Sequence, residues 1–272
     1  MLFDSHTHLN NESYTTGQRE ELAKEIEASD VSYVVDIGFD LESSLIATKH
    51  AGKYPWCFAA VGYHPHDAKY MDEMSFQGIK TLASKPKVVA IGEIGLDFHY
   101  DNSPRDVQRE CFRTQVRLAN ELKMPIVIHS READQEVLDI LREEQAFSDG
   151  RAAWFPRRAG KSDVRVLLHC YSGSKELAKH YVKLGATISI AGPITYKNAR
   201  KNIEVVEEIP IEYILIETDA PYLTPEPLRG KRNKSQYVEY TARKIAEIKD
   251  MSYEDVAKIT CENAKRFYGL TV

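Results

Sequence analysis

The chain has 272 residues, a formal net charge of −5 at pH 7, 43% hydrophobic residues and 28% charged residues. No stretch approaches the ~18 consecutive apolar residues of a membrane span, and an acidic chain has no overall attraction for nucleic acid, which excludes a general DNA-coating protein. The four cysteines form no Cys-x-x-Cys pair and the first residues lack the pattern of a secretory signal, so we expect a reducing cytoplasm.

Runs rich in Val, Ile and Ala predict eight strands that alternate with helical patterns. The predicted strands end near residues 8, 38, 62, 93, 129, 169, 190 and 217. The predicted helices lie near 18–28, 41–53, 71–84, 105–122, 132–143, 177–184, 235–249 and 253–267. Several strands are almost continuously apolar, which is typical of a parallel sheet covered by helices. Eight strand–helix units of about 30 residues predict an α/β fold, a TIM (β/α)8 barrel that forms a single domain over residues 1–272.

A doubly wound open sheet is the main alternative. No Gly-x-Gly-x-x-Gly follows the first strand, and the candidate polar residues are spread over strands one, four, five, six and eight, whereas an open sheet concentrates its site at one switch point. Residues 145–162 have no apolar periodicity and predict an inserted loop on the barrel face opposite the active site. No catalytic role is therefore expected for the basic residues of this loop, which are Arg151, Arg157, Arg158 and Lys161.

Candidate metal ligands lie at the carboxyl ends of the predicted strands. His6 and His8 are two residues apart in the first strand, so both imidazoles point to the same side. Further candidates follow other strands, at Glu93, His129, His169 and Asp219. A single histidine or carboxylate at a strand end is commonly structural, but six of them at one end of a barrel indicate a metal site. Four ligands suffice for one ion, so this set predicts two divalent ions with Glu93 as the bridging carboxylate.

The charge of such a site indicates the kind of substrate. Two divalent cations opposed by two carboxylates and neutral histidines leave a net charge of about +2, which suits an anionic ester and activates water near neutral pH. Hydrolysis of a phosphodiester by a two-metal activated water is the simplest use of this site.

Several motifs closely resemble those of the TatD family of metal-dependent deoxyribonucleases, in the same order along the chain. They are HTH at 6–8, GYHPH at 62–66, GEIGLD at 92–97, IHSR at 128–131, HCYSG at 169–173, ETDAPYL at 217–223, RGKRN at 229–233 and NAKRFYG at 263–269. The resemblance implies an amidohydrolase-like barrel with one metal held by His6, His8, Glu93 and Asp219 and a second held by Glu93, His129 and His169. It also implies a 3'-to-5' exonuclease that depends on Mg or Mn, although the same donors accept Zn, Co or Ni.

Roles for individual residues follow from their positions. Asp219 is the expected general base, because a carboxylate with a free oxygen can take a proton from the nucleophilic water. His64 follows the third strand, and Pro65 directs its ring toward the mouth of the barrel, where we expect contact with phosphate or leaving group. His66 is a weaker candidate for substrate binding, since it could equally face solvent. Asp97 is expected to order the loop after the fourth strand.

Basic and aromatic residues near the motifs are candidates for binding DNA. Arg131 and Arg229, with Lys231 and Arg232, could bind backbone phosphates, although a solvated charge cluster is an equal reading of the last three. Tyr222 could stack on a base, or could simply pack. The expected partner is a single-stranded DNA end, with no membrane and with a monomer or weak oligomer as the assembly. Two alternatives stay open: hydrolysis of another ester, such as that of a D-aminoacyl-tRNA, and a quality-control or binding protein without turnover.

Overall fold

The computed structural model describes residues 1–158 and 160–271, so residue 159 of the predicted insertion lies outside the described part. The strands are β1 Leu2–Thr7, β2 Val31–Ile37, β3 Cys57–Val61, β4 Val88–Asp97, β5 Ile126–Arg131, β6 Val166–Leu168, β7 Thr187–Ile190 and β8 Ile214–Ile216. The α-helices are α1 Thr16–Glu27, α2 Leu41–Lys53, α3 Glu73–Ala83, α4 Arg105–Leu122, α5 Asp134–Glu143, α6 Asp149–Ala152, α7 Lys175–Lys183, α8 Arg200–Glu208, α9 Val238–Lys249 and α10 Tyr253–Tyr268.

The strand order follows the chain from β1 to β8, and each described pairing is parallel. The chain divides into two compact units. Unit 1 comprises residues 1–36, 170–182 and 187–272, and contains β7, β8, β1 and β2; a parallel bridge between Thr7 and Ala220 joins the ends of β1 and β8. Unit 2 comprises residues 37–169 and 183–186, and contains β3 to β6 in order.

The strands are buried along nearly their whole length, as a parallel sheet with helices against it requires. All five residues of β3 and all four of β7 are buried. The helices bury one face each: α4, for example, buries Phe112, Val116 and Ala119 on one side. No helix in the described residues is long and apolar enough to cross a membrane.

The predicted elements agree closely with the observed ones, with three main differences, one of which is the short helix α6 within the predicted loop 145–162. α2 and α4 begin and end at the predicted residues. α8 was not predicted, because only two of its nine residues, Val205 and Val206, are buried and give little periodic signal. β4 continues four residues beyond Glu93 to Asp97, so that Asp97 lies in the strand and not in the following loop.

The predicted insertion contains a short helix, α6, whose Arg151 is 1% exposed. Its guanidinium donates hydrogen bonds to the carbonyl oxygens of Val164 (2.8 Å) and Met124 (2.7 Å) and to Asn120 Oδ1 (2.7 Å). Burial, with the nearby charge of Arg165, lowers the pKa of Arg151 to about 9, which still leaves the side chain charged at neutral pH. Arg151 therefore connects the insertion to the region around the start of β5 by side-chain hydrogen bonds.

Replacing Arg151 by Met is expected to lower the free energy of unfolding by about 3 kcal/mol, because one buried and two partly buried acceptors lose their donor. Urea denaturation followed by circular dichroism measures this change. Arg157→Met is the control: Arg157 lies in the same segment but is exposed, so its replacement should change stability by less than about 0.5 kcal/mol. Equal stabilities of the two variants would show that the hydrogen bonds of Arg151 do not stabilise the fold.

Candidate metal centre

In unit 1, the end of β1 places two histidines beside one carboxylate. His6 Nε2 lies 3.2 Å from His8 Nε2, and Asp219 Oδ1 lies 3.7 Å from His6 Nε2 and 3.3 Å from His8 Nε2. Backbone hydrogen bonds fix this arrangement: the N–H of Asp219 donates to the His6 carbonyl (2.9 Å), and the N–H of His8 donates to the Ala220 carbonyl (2.8 Å). Three of the predicted ligands are thus brought together by the pairing of β1 with the segment after β8.

The buried carboxylate of Asp4 links β1 to the segment after β8. Asp4 is fully buried, and its two oxygens accept hydrogen bonds from the Thr218 N–H (2.9 Å) and hydroxyl (2.6 Å). Burial raises the pKa of Asp4 to about 7, against the opposing effect of these hydrogen bonds. Asp4 was not among the predicted site residues, although a carboxylate within the first strand, two residues before His6, is a signal that could have identified it.

In unit 2, three imidazoles surround the carboxylate of Glu93, which is 3% exposed. Its Oε1 lies 2.7 Å from His169 Nε2, 2.9 Å from His129 Nδ1 and 3.6 Å from His64 Nε2. Glu93, His129 and His169 are therefore in mutual contact, as the predicted second metal site requires. The donor atoms of Glu93, His64 and His129 also all lie within 4.8 Å of one another.

The glycine two residues after Glu93 permits this close approach. Gly95 pairs with His129 in the β4–β5 register and has a φ of +148°. A Cβ at this position would lie 1.9 Å from the carbonyl oxygen of His129, so no other residue fits without moving β5. The second glycine of the Gly-Glu-Ile-Gly motif therefore lets the strands that carry Glu93 and His129 lie close together.

Asp97, at the end of β4, binds two histidines as well as the loop. Its Oδ1 accepts the backbone N–H groups of His99 (3.0 Å) and Tyr100 (2.9 Å), which is the loop-ordering role expected from the sequence. Its Oδ2 lies 2.9 Å from His66 Nε2 and 3.1 Å from His129 Nε2, which was not expected. Burial alone would raise the pKa of Asp97, but the hydrogen bonds from these histidines and from Tyr100 lower it well below its usual range. A carboxylate in this position is the kind of group that commonly orients a metal-binding histidine.

His64 has a defined neutral tautomer. Its Nδ1 accepts the backbone N–H of His66 at 3.1 Å, which leaves the ring proton on Nε2. Burial and the neighbouring charge of His129 lower the pKa of His64 well below its ordinary value, against the effect of Glu93. His64 is therefore a neutral hydrogen-bond donor through Nε2, which suits the predicted contact with a phosphate or leaving group better than metal ligation.

The other predicted substrate-binding residues lie at the end of β5, in the case of Arg131, and in the segment after β8, in the case of Tyr222 and Arg229. In unit 1, Tyr222 is 53% exposed, its ring centroid lies 6.4 Å from that of His8, and Arg229 lies over the ring of Tyr196 at 4.2 Å. In unit 2, the guanidinium carbon of Arg131 lies 4.6 Å from the ring centroid of Tyr100. None of these side chains is withdrawn into the core.

The two donor sets fit divalent cations. Ligand atoms that surround one ion at about 2.1 Å stand about 3 Å apart, and the nitrogen–oxygen separations within each unit, from 2.7 to 3.7 Å, are close to this value. The donors are imidazole nitrogens and carboxylate oxygens, which suit Mn, Zn, Co and Ni, with the carboxylates also suiting Mg. In each unit, therefore, the candidate ligand atoms already lie at separations close to those around a bound ion.

Comparison with known proteins identifies the family of the chain. The family model described as TatD related DNase matches residues 3–269. An uncharacterized metal-dependent hydrolase, YabD of Bacillus subtilis, is 46% identical over 270 residues, which cover 99% of this chain and 100% of that protein. The 3'-5' ssDNA/RNA exonuclease TatD of Escherichia fergusonii is 31% identical over 277 residues, with 99% and 100% covered.

The solved structure of YJJV, a TatD homologue from Escherichia coli K12, superposes with a TM-score of 0.86 at 24% identity and covers 99% of this chain and 98% of that one. This likeness confirms the predicted (β/α)8 barrel fold. Because the family model spans nearly the whole chain and the relatives align over their full length, this protein belongs to the TatD family of metal-dependent hydrolases.

Proposed function

We propose that this protein is a 3'-5' exonuclease that hydrolyses phosphodiester bonds at single-stranded or frayed DNA ends. The observation that carries the proposal is the buried Glu93 carboxylate in contact with His129 and His169, at 2.9 and 2.7 Å. We assign one divalent ion to His6, His8, Glu93 and Asp219 and the other to Glu93, His129 and His169.

The residues of the chain divide the chemistry among them. When bound, the divalent ions lower the pKa of water and withdraw charge from the phosphoryl group. Asp219, whose side chain is 15% exposed, accepts the proton that the attacking water loses. A phosphorus–oxygen bond forms to that water as the bond to the leaving oxygen breaks. His64 donates a hydrogen bond from Nε2 to the phosphate or leaving oxygen, where negative charge develops.

Substrate binding is assigned to exposed groups around these ligands. The net charge of −5 makes local cations necessary for holding a polyanion, and we assign this role to Arg131 and Arg229. Tyr222 and His66 are assigned contacts with the nucleotide. A reducing cytoplasm is proposed as the place of action, and a monomer or weak oligomer as the working form.

The test is cleavage of a 5'-labelled single-stranded DNA by metal-stripped protein, with Mg, Mn or Zn added back. A ladder that shortens from the 3' end and depends on metal is the expected result. The same preparation is tested on D-aminoacyl-tRNA and on RNA of the same sequence. Metal-dependent release of the amino acid without any cleavage of DNA would overturn the proposal in favour of an ester hydrolase of a different substrate class.

Replacing His64 by Ala is expected to lower kcat by about 10² to 10³ without changing the number of bound metal ions, because the lost group is a donor to developing charge. Turnover on the labelled DNA and metal content by mass spectrometry measure the two quantities. His99→Ala is the control, since His99 is an exposed histidine of the same unit that pairs with Glu132 at 2.7 Å. Loss of a metal ion in His64→Ala would instead show that His64 is a ligand.

A further inference from the structure

The ring of Tyr100, which has been given no role so far, is exposed beside the candidate metal ligands of unit 2. Tyr100 follows β4 by three residues and is 54% exposed. Its backbone N–H donates to Asp97 Oδ1, so its position is tied to the carboxylate that orients His129. Its ring meets the ring of His66 edge-on, with centroids 5.4 Å apart. An exposed tyrosine held in this way has a fixed position without being part of the core.

Arg131 lies against the same ring. Its guanidinium carbon is 4.6 Å from the ring centroid of Tyr100, and Arg131 itself is exposed. Among residues 1–158 and 160–271, no carboxylate forms an ion pair with it. Two other arginines of unit 2 do form ion pairs: Arg105 pairs with Asp101, and Arg109 pairs with Glu136. A stacked guanidinium keeps its N–H edges directed outward and is well suited to bind a phosphate.

We propose that Tyr100 and Arg131 form a nucleotide subsite, in which the base of a single-stranded nucleic acid stacks on Tyr100 and an adjoining phosphate binds Arg131. This inference rests on the proposed function and adds the part of the substrate that is recognised. Stacking of bases on aromatic rings, with arginine beside them, is how proteins bind single strands regardless of sequence. Such binding requires unpaired bases, so this subsite selects single strands and frayed ends over intact duplex.

The position of the subsite relates base binding to the reaction. The ring of His66 lies between Tyr100 and His129, with a centroid separation of 6.3 Å on the side of His129. Asp97 contacts both His66 and His129 through Oδ2 and the Tyr100 backbone through Oδ1. A nucleotide on Tyr100 is therefore separated from His129 by a single ring, that of His66.

The test compares Tyr100→Ala and Tyr100→Phe with two substrates, a single-stranded oligonucleotide and the same oligonucleotide with abasic residues at its 3' end. Binding is measured by fluorescence anisotropy in an Asp219→Asn background, and KM and kcat are measured in the active protein. Tyr70→Ala is the matched control, because Tyr70 is another exposed tyrosine of unit 2, at 65% exposure, whose ring is faced by the Lys69 ammonium at 5.0 Å and not by Arg131.

We expect Tyr100→Ala to weaken binding of the normal strand and raise its KM by about tenfold or more, with kcat little changed. Tyr100→Phe should bind as the unchanged protein does, and the abasic strand should bind the Ala variant and the parent equally. Equal binding of the normal strand by Tyr100→Ala and the parent would overturn the proposal, and so would an equal loss for both strands. If the unchanged protein binds DNA but cleaves none, the proposed exonuclease function fails while the stacking result still decides this inference.

Discussion

Asp219→Asn is expected to reduce hydrolysis of single-stranded DNA by about 10³-fold or more, with the fold intact. The carboxylate lies 3.3 Å from His8 Nε2 and 3.7 Å from His6 Nε2, so the substitution removes both a charged ligand and the proposed proton acceptor. The amide has the same shape as the carboxylate but cannot take a proton. Asp219 has a φ of 55°, a left-handed conformation that asparagine adopts as readily as aspartate, so little backbone strain should follow.

The matched control for this substitution is Asp250→Asn. Asp250 is exposed at the end of α9 and has a φ of 52°, so it presents the same chemical change in the same backbone conformation away from any metal ligand. Turnover and the melting temperature are measured for both variants. Full turnover in Asp219→Asn, with a melting temperature equal to that of the control, would remove Asp219 from the mechanism.

Glu93→Gln should lower metal affinity by at least about 100-fold and remove measurable turnover. Altering groups that only orient metal ligands commonly costs 10- to 100-fold, and Glu93 is proposed as a ligand of both ions. The Oε1 position faces three imidazole nitrogens at 2.7 to 3.6 Å, and the amide can satisfy them with at most one oxygen and no negative charge. Equilibrium dialysis with Mn and turnover at saturating metal separate weak binding from lost chemistry.

Glu132→Gln serves as the control for that experiment. Glu132 lies just beyond the end of β5, is 64% exposed and pairs with His99, so the same change should alter neither quantity. If Glu93→Gln bound two ions per chain with unchanged affinity, the assignment of Glu93 as the bridging ligand would be wrong, even if activity were lost.

The strands, and the candidate metal ligands near their ends, could be predicted from the sequence for one physical reason. A buried parallel strand must be apolar along its length, so the first histidine or carboxylate after such a run stands out and marks the carboxyl end of the strand. His129 and His169 follow this rule, and both reach Glu93 within 2.9 Å. Whether Asp219 and His6 share an ion with Glu93 stays a prediction.

The full length of β4 and the contacts of Asp97 could not be predicted from the sequence. The fourth strand was predicted to end at Glu93, yet it continues to Asp97 because Gly95 allows the backbone to pass close to His129. The partners of Asp97, His66 and His129, come from two other segments, so this contact has no local sequence pattern. The buried guanidinium of Arg151 was missed for the same reason, since each of its acceptors lies more than ten residues away.

The pairing of β1 with β8 in unit 1 affects the order in which parts of the protein can form during synthesis on the ribosome. Ser5 donates a hydrogen bond to the Ile216 carbonyl across 211 residues, and His6 meets Asp219 through the same pairing. At 5 to 20 residues per second, a ribosome needs roughly 10 to 40 s between synthesis of these two partners. During that interval β1 has no β8 to pair with, whereas β3 to β6 follow one another along the chain. We therefore expect the histidines around Glu93 to be in place first, and the His6–His8–Asp219 set to be the last part of the centre to form during synthesis.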